Sequence, residues 1–205
     1  MKCINKLTDE DFGLDIVHFD NLRHRYGARG IVFNKDNKIA ILNKTLKNEY
    51  KLVGGGIEED EDPTKAFKRE VLEEAGCIVE IDDCLGTFEE LKSHDNFKQT
   101  SYVYVAHVIK DTKELHFTQK EIDEGAKLLW LNIEDAMKLI KDSEDKLIAS
   151  KYENVYHTKF IARRDYEIFN FSIIIYLIKR GIYWYEKYCF NRNRSSCKEN
   201  ISALL

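Results

Sequence analysis

Glu70, Glu73 and Glu74 recur at i, i+3 and i+4 in "KREVLEEAGC". Upstream lie three glycines, Gly54 to Gly56, and an unbroken acidic run from Glu58 to Asp62. On a helix, carboxylates at those spacings share a flank, and each like-charge pair is unfavourable by about 0.2–0.5 kcal/mol. A divalent cation reverses that sign. Hard ions such as Mg²⁺ take oxygen ligands, commonly one or two carboxylates together with phosphate oxygens and water. Glycines beside such a cluster let the backbone approach a ligand closely and offer carbonyl oxygens to a metal. The alternative is a solvated acidic helix face, the ordinary fate of a charge run.

The carboxylates need a helix to carry them. Asp62-Pro63 opens one, because Asp caps well and Pro suits the first helical position, and Gly76 is placed to end it. On a helical wheel over 63–75, Phe67, Val71, Ala75 and Leu72 fall in one arc and Glu70, Glu73 and Glu74 in the next. The apolar arc can pack on a sheet while the acids gather at its edge. Strands are expected at Ile31–Phe33 and Ile39–Leu42 around an Asn34–Asn37 turn, and at "EYKLVGGGI" running into the glycines. Further strands are expected at "CIVEID", "LGTFEEL", "TSYVYVAHVI" and "LLWLN", and a second helix at "IEDAMKLIKD". This mixed succession points to an α/β/α sandwich around a mixed β-sheet. Residues 144–190 read as an aromatic-rich helical extension and 191–205 as a flexible tail.

The chain of 205 residues is 43% hydrophobic and 33% charged, enough for a packed core. A net charge of −4 and no long basic stripe argue against stable nucleic-acid binding. The five cysteines are widely spaced with no CxxC, which favours free thiols in a reducing compartment. The N-terminus shows no signal-peptide pattern, and "FSIIIYLI" is too short for a bilayer, which takes about 20 residues. The expectation is a cytoplasmic protein that does not enter a membrane.

The acidic stretch resembles the Nudix box: Gly, five residues, Glu, seven residues, Arg-Glu, an aliphatic, any residue, Glu-Glu, any residue, Gly, an aliphatic. Those places are Gly55, Glu61, Arg69, Glu70, Val71, Glu73, Glu74, Gly76 and Cys77. The departure is Cys77, where an aliphatic is usual, and buried Cys packs as a small hydrophobe. The resemblance implies a Nudix fold over 21–143, flanked by an N-terminal segment (1–20), the helical extension and the tail. It also implies hydrolysis of a nucleoside diphosphate linked to another group, with Mg²⁺ or Mn²⁺. By position, Glu70, Glu73 and Glu74 look like the metal ligands, with Glu61 and the Gly55 carbonyl as further ones. Arg69 would pair with Glu61 to brace the loop. Cations are needed because a diphosphate would otherwise be repelled by the acids, and they lower the pKa of the attacking water.

The base that accepts the water's proton varies within the family. Glu73 and Glu74 compete with Glu121 and Glu124, which lie just before the Leu128–Leu131 strand. Gly55, Gly56 and Arg29 are the substrate-contact candidates. Arg163, Arg164 and Tyr166 would serve a lid, if the C-terminal segment is one rather than a helical cap or homodimer face. No proline follows the box as in ADP-ribose pyrophosphatases, and no tyrosine lies between Cys77 and Tyr102 as in diadenosine polyphosphate hydrolases. The extra motif of coenzyme A hydrolases is also missing. These differences do not select a substrate beyond a nucleotide-derived small molecule. A non-catalytic, nucleotide-binding Nudix module is the rival reading. Lost box carboxylates would have supported it, and none is lost.

Overall fold

Period-two burial sets the sheet. In strand β2 (Arg23–Phe33), Ala28 and Val32 face one side, while Ile31 and Phe33 take the opposite positions; all four are buried. β3 (Ile39–Lys44) and β4 (Glu49–Gly56) follow as an antiparallel pair. The β2–β3 turn is closed by Asn34 Oδ1, which accepts the Asp36 and Lys38 amides at 2.9 Å. The computed structural model describes residues 1–18, 20–152 and 154–180. The expected tail, residues 191–205, and the end of the helical extension from residue 181 lie outside the described residues, as do Cys189 and Cys197.

The remaining strands are β1 (Cys3–Leu7), β5 (Cys77–Lys92), β6 (Phe97–Asp111) and β7 (Ala126–Leu131). All seven join one mixed sheet in the order β1-β5-β6-β2-β4-β3-β7, with β1–β5 and β2–β6 parallel. Two expectations change here. The separate strands "CIVEID" and "LGTFEEL" are one long β5, broken in register at Ile78/Val79, Ile81/Asp83 and Cys84/Gly86. Bulges of this kind interrupt polar–apolar alternation without ending the strand. The N-terminal segment also contributes β1, paired in parallel to β5.

Helix α1 (Pro63–Ala75) covers one sheet face. Asp62 Oδ1 caps it by accepting the Thr64 and Lys65 amides at 2.9 and 3.1 Å, a cap worth about 1 kcal/mol. Gly76 closes it, its N–H bonded to the Leu72 carbonyl. Ala66, Phe67, Val71 and Ala75 pack on Ala28, Val32, Ala40, Val53 and Ala106, with Phe67 stacked on Tyr104 at 5.0 Å. Leu72, expected in the buried arc, is instead 37% exposed, while Glu74 is buried. The helix is rolled so that its acidic edge, not Leu72, turns toward the glycines.

On the other face, α3 (Ile133–Asp145) is tied to β4 by Ser143, whose Oγ accepts the Tyr50 amide at 2.7 Å. α4 (Val155–Lys179) meets this face through Asp165, with Phe160, Arg164, Asp165, Ile168 and Phe169 buried. The short α2 (Gln119–Asp123) precedes β7. The α/β/α sandwich around a mixed sheet is therefore present, with a helix beyond residue 144. The chain divides into two units, Met1–Ser172 and Ile173–Leu205; in the second, residues 173–179 are the last residues of α4. Among the described residues no helix is long and apolar enough to cross a membrane.

Candidate active site

Arg69 organises the acidic edge of α1. Its Nε and Nη2 donate to Glu61 Oε1 and Oε2, both at 2.9 Å, in a bidentate pair. Nη2 also donates to the Gly56 carbonyl at 2.9 Å, and Nη1 to Glu70 Oε1 at 2.9 Å and Glu73 Oε2 at 3.2 Å. One guanidinium thus ties the acidic loop, the glycine turn and the helix together. The hydrogen bonds from Arg69 hold the Glu61 carboxyl below its ordinary pKa.

The glycines receive the carboxylates. A Cβ on Gly55 would lie 2.4–2.5 Å from the Glu70 carboxyl, so the missing side chain is the space that Glu70 occupies. Gly54 holds φ +134°, and its N–H donates to Glu74 Oε2 at 2.8 Å. Burial pushes the Glu74 carboxyl up to about 7, against the pull of Lys51, whose Nζ lies 3.4 Å from Oε1, and of the Gly54 N–H. Burial also raises Glu70 despite Arg69. Lys51 is the contribution the sequence reading missed. The hint was a lysine in the otherwise apolar entry to the glycines, at a β4 position that shares its face with Val53.

Glu121, at the start of α2, is bonded through Oε2 to the amide and hydroxyl of its N-cap, Thr118, both at 2.9 Å. Burial would raise its pKa, but the Thr118 amide and hydroxyl and the Lys51 charge hold it below its ordinary value. Glu121 is thus close enough to Glu74 and Lys51 for their charges to act on one another. Glu124 does not join them. It is clamped by Lys44 and Lys47, each at 2.6 Å, and the adjacent Gly125 carbonyl accepts from Thr45. That arrangement locks the β3–β4 turn.

The other candidates separate in the same way. Glu73 sits at the solvent edge, 38% exposed. Gly56 lies under the Arg25 guanidinium, 2.5 Å from where its Cβ would be. Arg29 is 5% exposed; its Nε donates to Ser101 Oγ at 3.1 Å and its Nη1 lies 4.0 Å from Asp165. Arg163 pairs with Glu144, and Arg164 is buried against Glu90 and Asp165. Tyr166 lies under Lys141. These three brace α4 rather than forming an open lid.

The donors around the glycines are all oxygen, the class that hard divalent cations take. Burial raises the pKa of the half-buried Glu70 and the buried Glu74 despite Arg69 and Lys51, and a cation would favour their charged forms. The residues therefore fit a hard divalent cation. Among the described residues no three His, Cys, Asp or Glu side chains already enclose a common point, and Arg69 takes an oxygen of Glu70 and of Glu73.

A model of the NUDIX domain matches residues 23–151 of the chain. Diphosphoinositol polyphosphate phosphohydrolase 2 of Rattus norvegicus is 32% identical over 107 residues, covering 52% of this chain and 56% of its own length. Diphosphoinositol polyphosphate phosphohydrolase 3-alpha of Homo sapiens shows the same identity, covering 62% of its own length. The chain thus spans a little over half the length of these curated relatives. The crystal structure of a MutT protein from Methanosarcina mazei Go1 superposes with a TM-score of 0.45 at 21% identity, covering 73% of this chain and 98% of that one. The match spans more than half of the chain, and the box residues run from the glycine end of β4 through the acidic loop and α1 to Cys77 at the start of β5; the chain belongs to the Nudix family.

Proposed function

We propose that this protein hydrolyses a phosphoanhydride bond in a small pyrophosphate-containing molecule, with Mg²⁺ or Mn²⁺ as the required cation. The observation that carries this reading is the seating of Glu70 at Gly55 and of Glu74 at the Gly54 N–H, with Arg69 bracing Glu61, Glu70 and Glu73 beside them. Glu70, Glu73 and Glu74 would hold the cation, with the Gly55 carbonyl and Glu61 nearby. When bound, the ion neutralises phosphate oxygens and lowers the pKa of the attacking water. Glu121 is the general base: half-buried and held below its ordinary pKa by Thr118 and Lys51 against the effect of burial, it can take the water's proton. Lys51 opposes the burial that raises the Glu74 pKa, and Arg69 with Glu61 fixes the loop against α1. The intact acids argue against a binding-only module.

The substrate is read as nucleotide-derived. Tyr26, 45% exposed one residue from Gly27, offers a face on which a base could stack. A second reading rests on Arg23 and Arg25, which alternate along the same face of β2 and end at Gly56. Two such cations suit a dense polyanion without a base, and the curated relatives are diphosphoinositol polyphosphate phosphohydrolases. The test is product detection on a panel of nucleoside triphosphates, dinucleoside polyphosphates, ADP-ribose, nucleotide sugars and a diphosphoinositol polyphosphate, with Mg²⁺, Mn²⁺ or EDTA. Cation-dependent cleavage of one class supports hydrolysis and names the class. Silence across the panel with Mn²⁺ bound would favour the binding-only module.

A further inference from the structure

Where β2 and β4 part, a backbone amide is left over. Their pairing runs from Gly27↔Gly56 to Gly30↔Val53 and stops, and β2 next meets β3 at Phe33↔Ile39. Leu52, the next residue of β4, is fully buried. A buried N–H without an acceptor is unfavourable, so native structures supply one. Here it is a carboxylate from another layer: Asp165 Oδ2, on α4, accepts the Leu52 N–H at 3.1 Å.

Asp165 is itself held from two sides. Its Oδ1 accepts Arg164 Nε at 2.8 Å and lies 4.0 Å from Arg29 Nη1. Arg164 continues to Glu90 at 3.0 Å, and Glu90 to Lys92 at 2.7 Å. Arg29 sits opposite Gly54 in the β2–β4 register. The carboxylate of Asp165 therefore fixes β4 two residues before the amide that binds Glu74 and three before the glycine that seats Glu70.

We propose that Asp165 is a positioning residue for the carboxylate cluster, acting through the Leu52 amide and Arg29, so that α4 belongs to the catalytic apparatus. This rests on the hydrolase reading above. A carboxylate cluster displaced by a fraction of an ångström still binds substrate but aligns the attack poorly, a loss that falls on kcat.

The test combines Asp165→Asn and Ser101→Ala, measured well below each variant's thermal midpoint. Asp165→Asn keeps an acceptor for Leu52 but removes the charge facing Arg29. Ser101→Ala loosens Arg29 while leaving every charge in place. The expected result is a kcat lower by about tenfold for Asp165→Asn and about threefold for Ser101→Ala, with KM unchanged. Amide hydrogen exchange at residues 52–56 should accelerate in both while that of β7 stays as in the wild type. Unchanged kcat and unchanged exchange in a folded variant would overturn the proposal, as would an equal acceleration everywhere. Should Asp165→Asn fail to fold, Ser101→Ala decides by the same two readouts. If the wild type cleaves nothing, the hydrolase reading fails, and the exchange data still decide whether Asp165 positions the glycine turn.

Discussion

Arg69 and Glu61 are joined by two parallel hydrogen bonds of 2.9 Å, across the loop that separates the glycines from α1. The same guanidinium reaches the Gly56 carbonyl and two helix carboxylates. A lysine carries the charge but not the planar fork. Arg69→Lys should lower kcat by about tenfold or more while the fold persists. Steady-state kinetics beside a thermal melt check this; wild-type kcat in Arg69→Lys would remove Arg69 from its bracing role.

Gly54 and Gly55 should respond differently to the same substitution. A Cβ on Gly55 meets a carboxylate at the end of a flexible side chain, which can swing away. Gly55→Ala should fold and bind Mn²⁺ about 10–100-fold more weakly, because Glu70 is displaced. On Gly54 the Cβ would be 2.3 Å from the Ala28 carbonyl oxygen, at φ +134°. Gly54→Ala should therefore be strongly destabilised. Circular dichroism and Mn²⁺ titration of both variants check the contrast.

Glu121 and Glu124 are three residues apart and look alike in the chain, yet the structure gives them different partners, Thr118 for one and Lys44 with Lys47 for the other. Glu121→Gln should lower kcat by about 10²-fold or more, the usual loss with a general base. Glu124→Gln should leave kcat near wild type and reduce stability by about 1 kcal/mol, since Lys44 and Lys47 lose their shared partner. Kinetics and a urea midpoint on each variant check the split; the reverse pattern would exchange the two roles.

Acid stability should follow Glu90. Its carboxyl is buried, which alone would raise its pKa, but Arg164 and Lys92 hold it down at about 2, against an ordinary value of 4.5. A carboxyl with a depressed folded pKa stabilises the fold above its unfolded pKa, and that contribution is lost as pH falls through the folded value. Glu124, also held at about 2 by Lys44 and Lys47 against the effect of burial, acts in the same direction. Stability should therefore decline between about pH 4.5 and pH 2. Glu90→Gln should flatten part of that decline, measured as urea midpoint against pH. An unchanged slope would show that Glu90 does not titrate as described.

The box, its capped helix and most strands are legible in the chain because their signals are local. Asp62, Pro63 and Gly76 mark α1 within a short span, and the acids repeat at helical spacing. What sequence reasoning missed depends on contacts between distant segments. Asp165 lies 113 residues from Leu52, and no spacing connects them. Lys51 faces Glu74 only once α1 is rolled onto the sheet, the same roll that exposes Leu72. β1 reads as loop because its mostly exposed, polar residues show little periodicity, and pairing to β5 supplies its order. Arg29 sits beside the glycines in the sheet, as its place before them suggests, but its side chain turns to the α4 face.

The most direct measurement of the central claim is a Mg²⁺ titration of hydrolysis for wild type and Glu74→Gln, on the panel substrate the wild type cleaves. The expected result is no cleavage by the wild type in EDTA, recovery as Mg²⁺ is added, and no recovery for Glu74→Gln at any Mg²⁺ concentration, with both proteins folded. Wild-type turnover by Glu74→Gln at saturating Mg²⁺ would contradict the assignment of the cluster as the metal-holding centre.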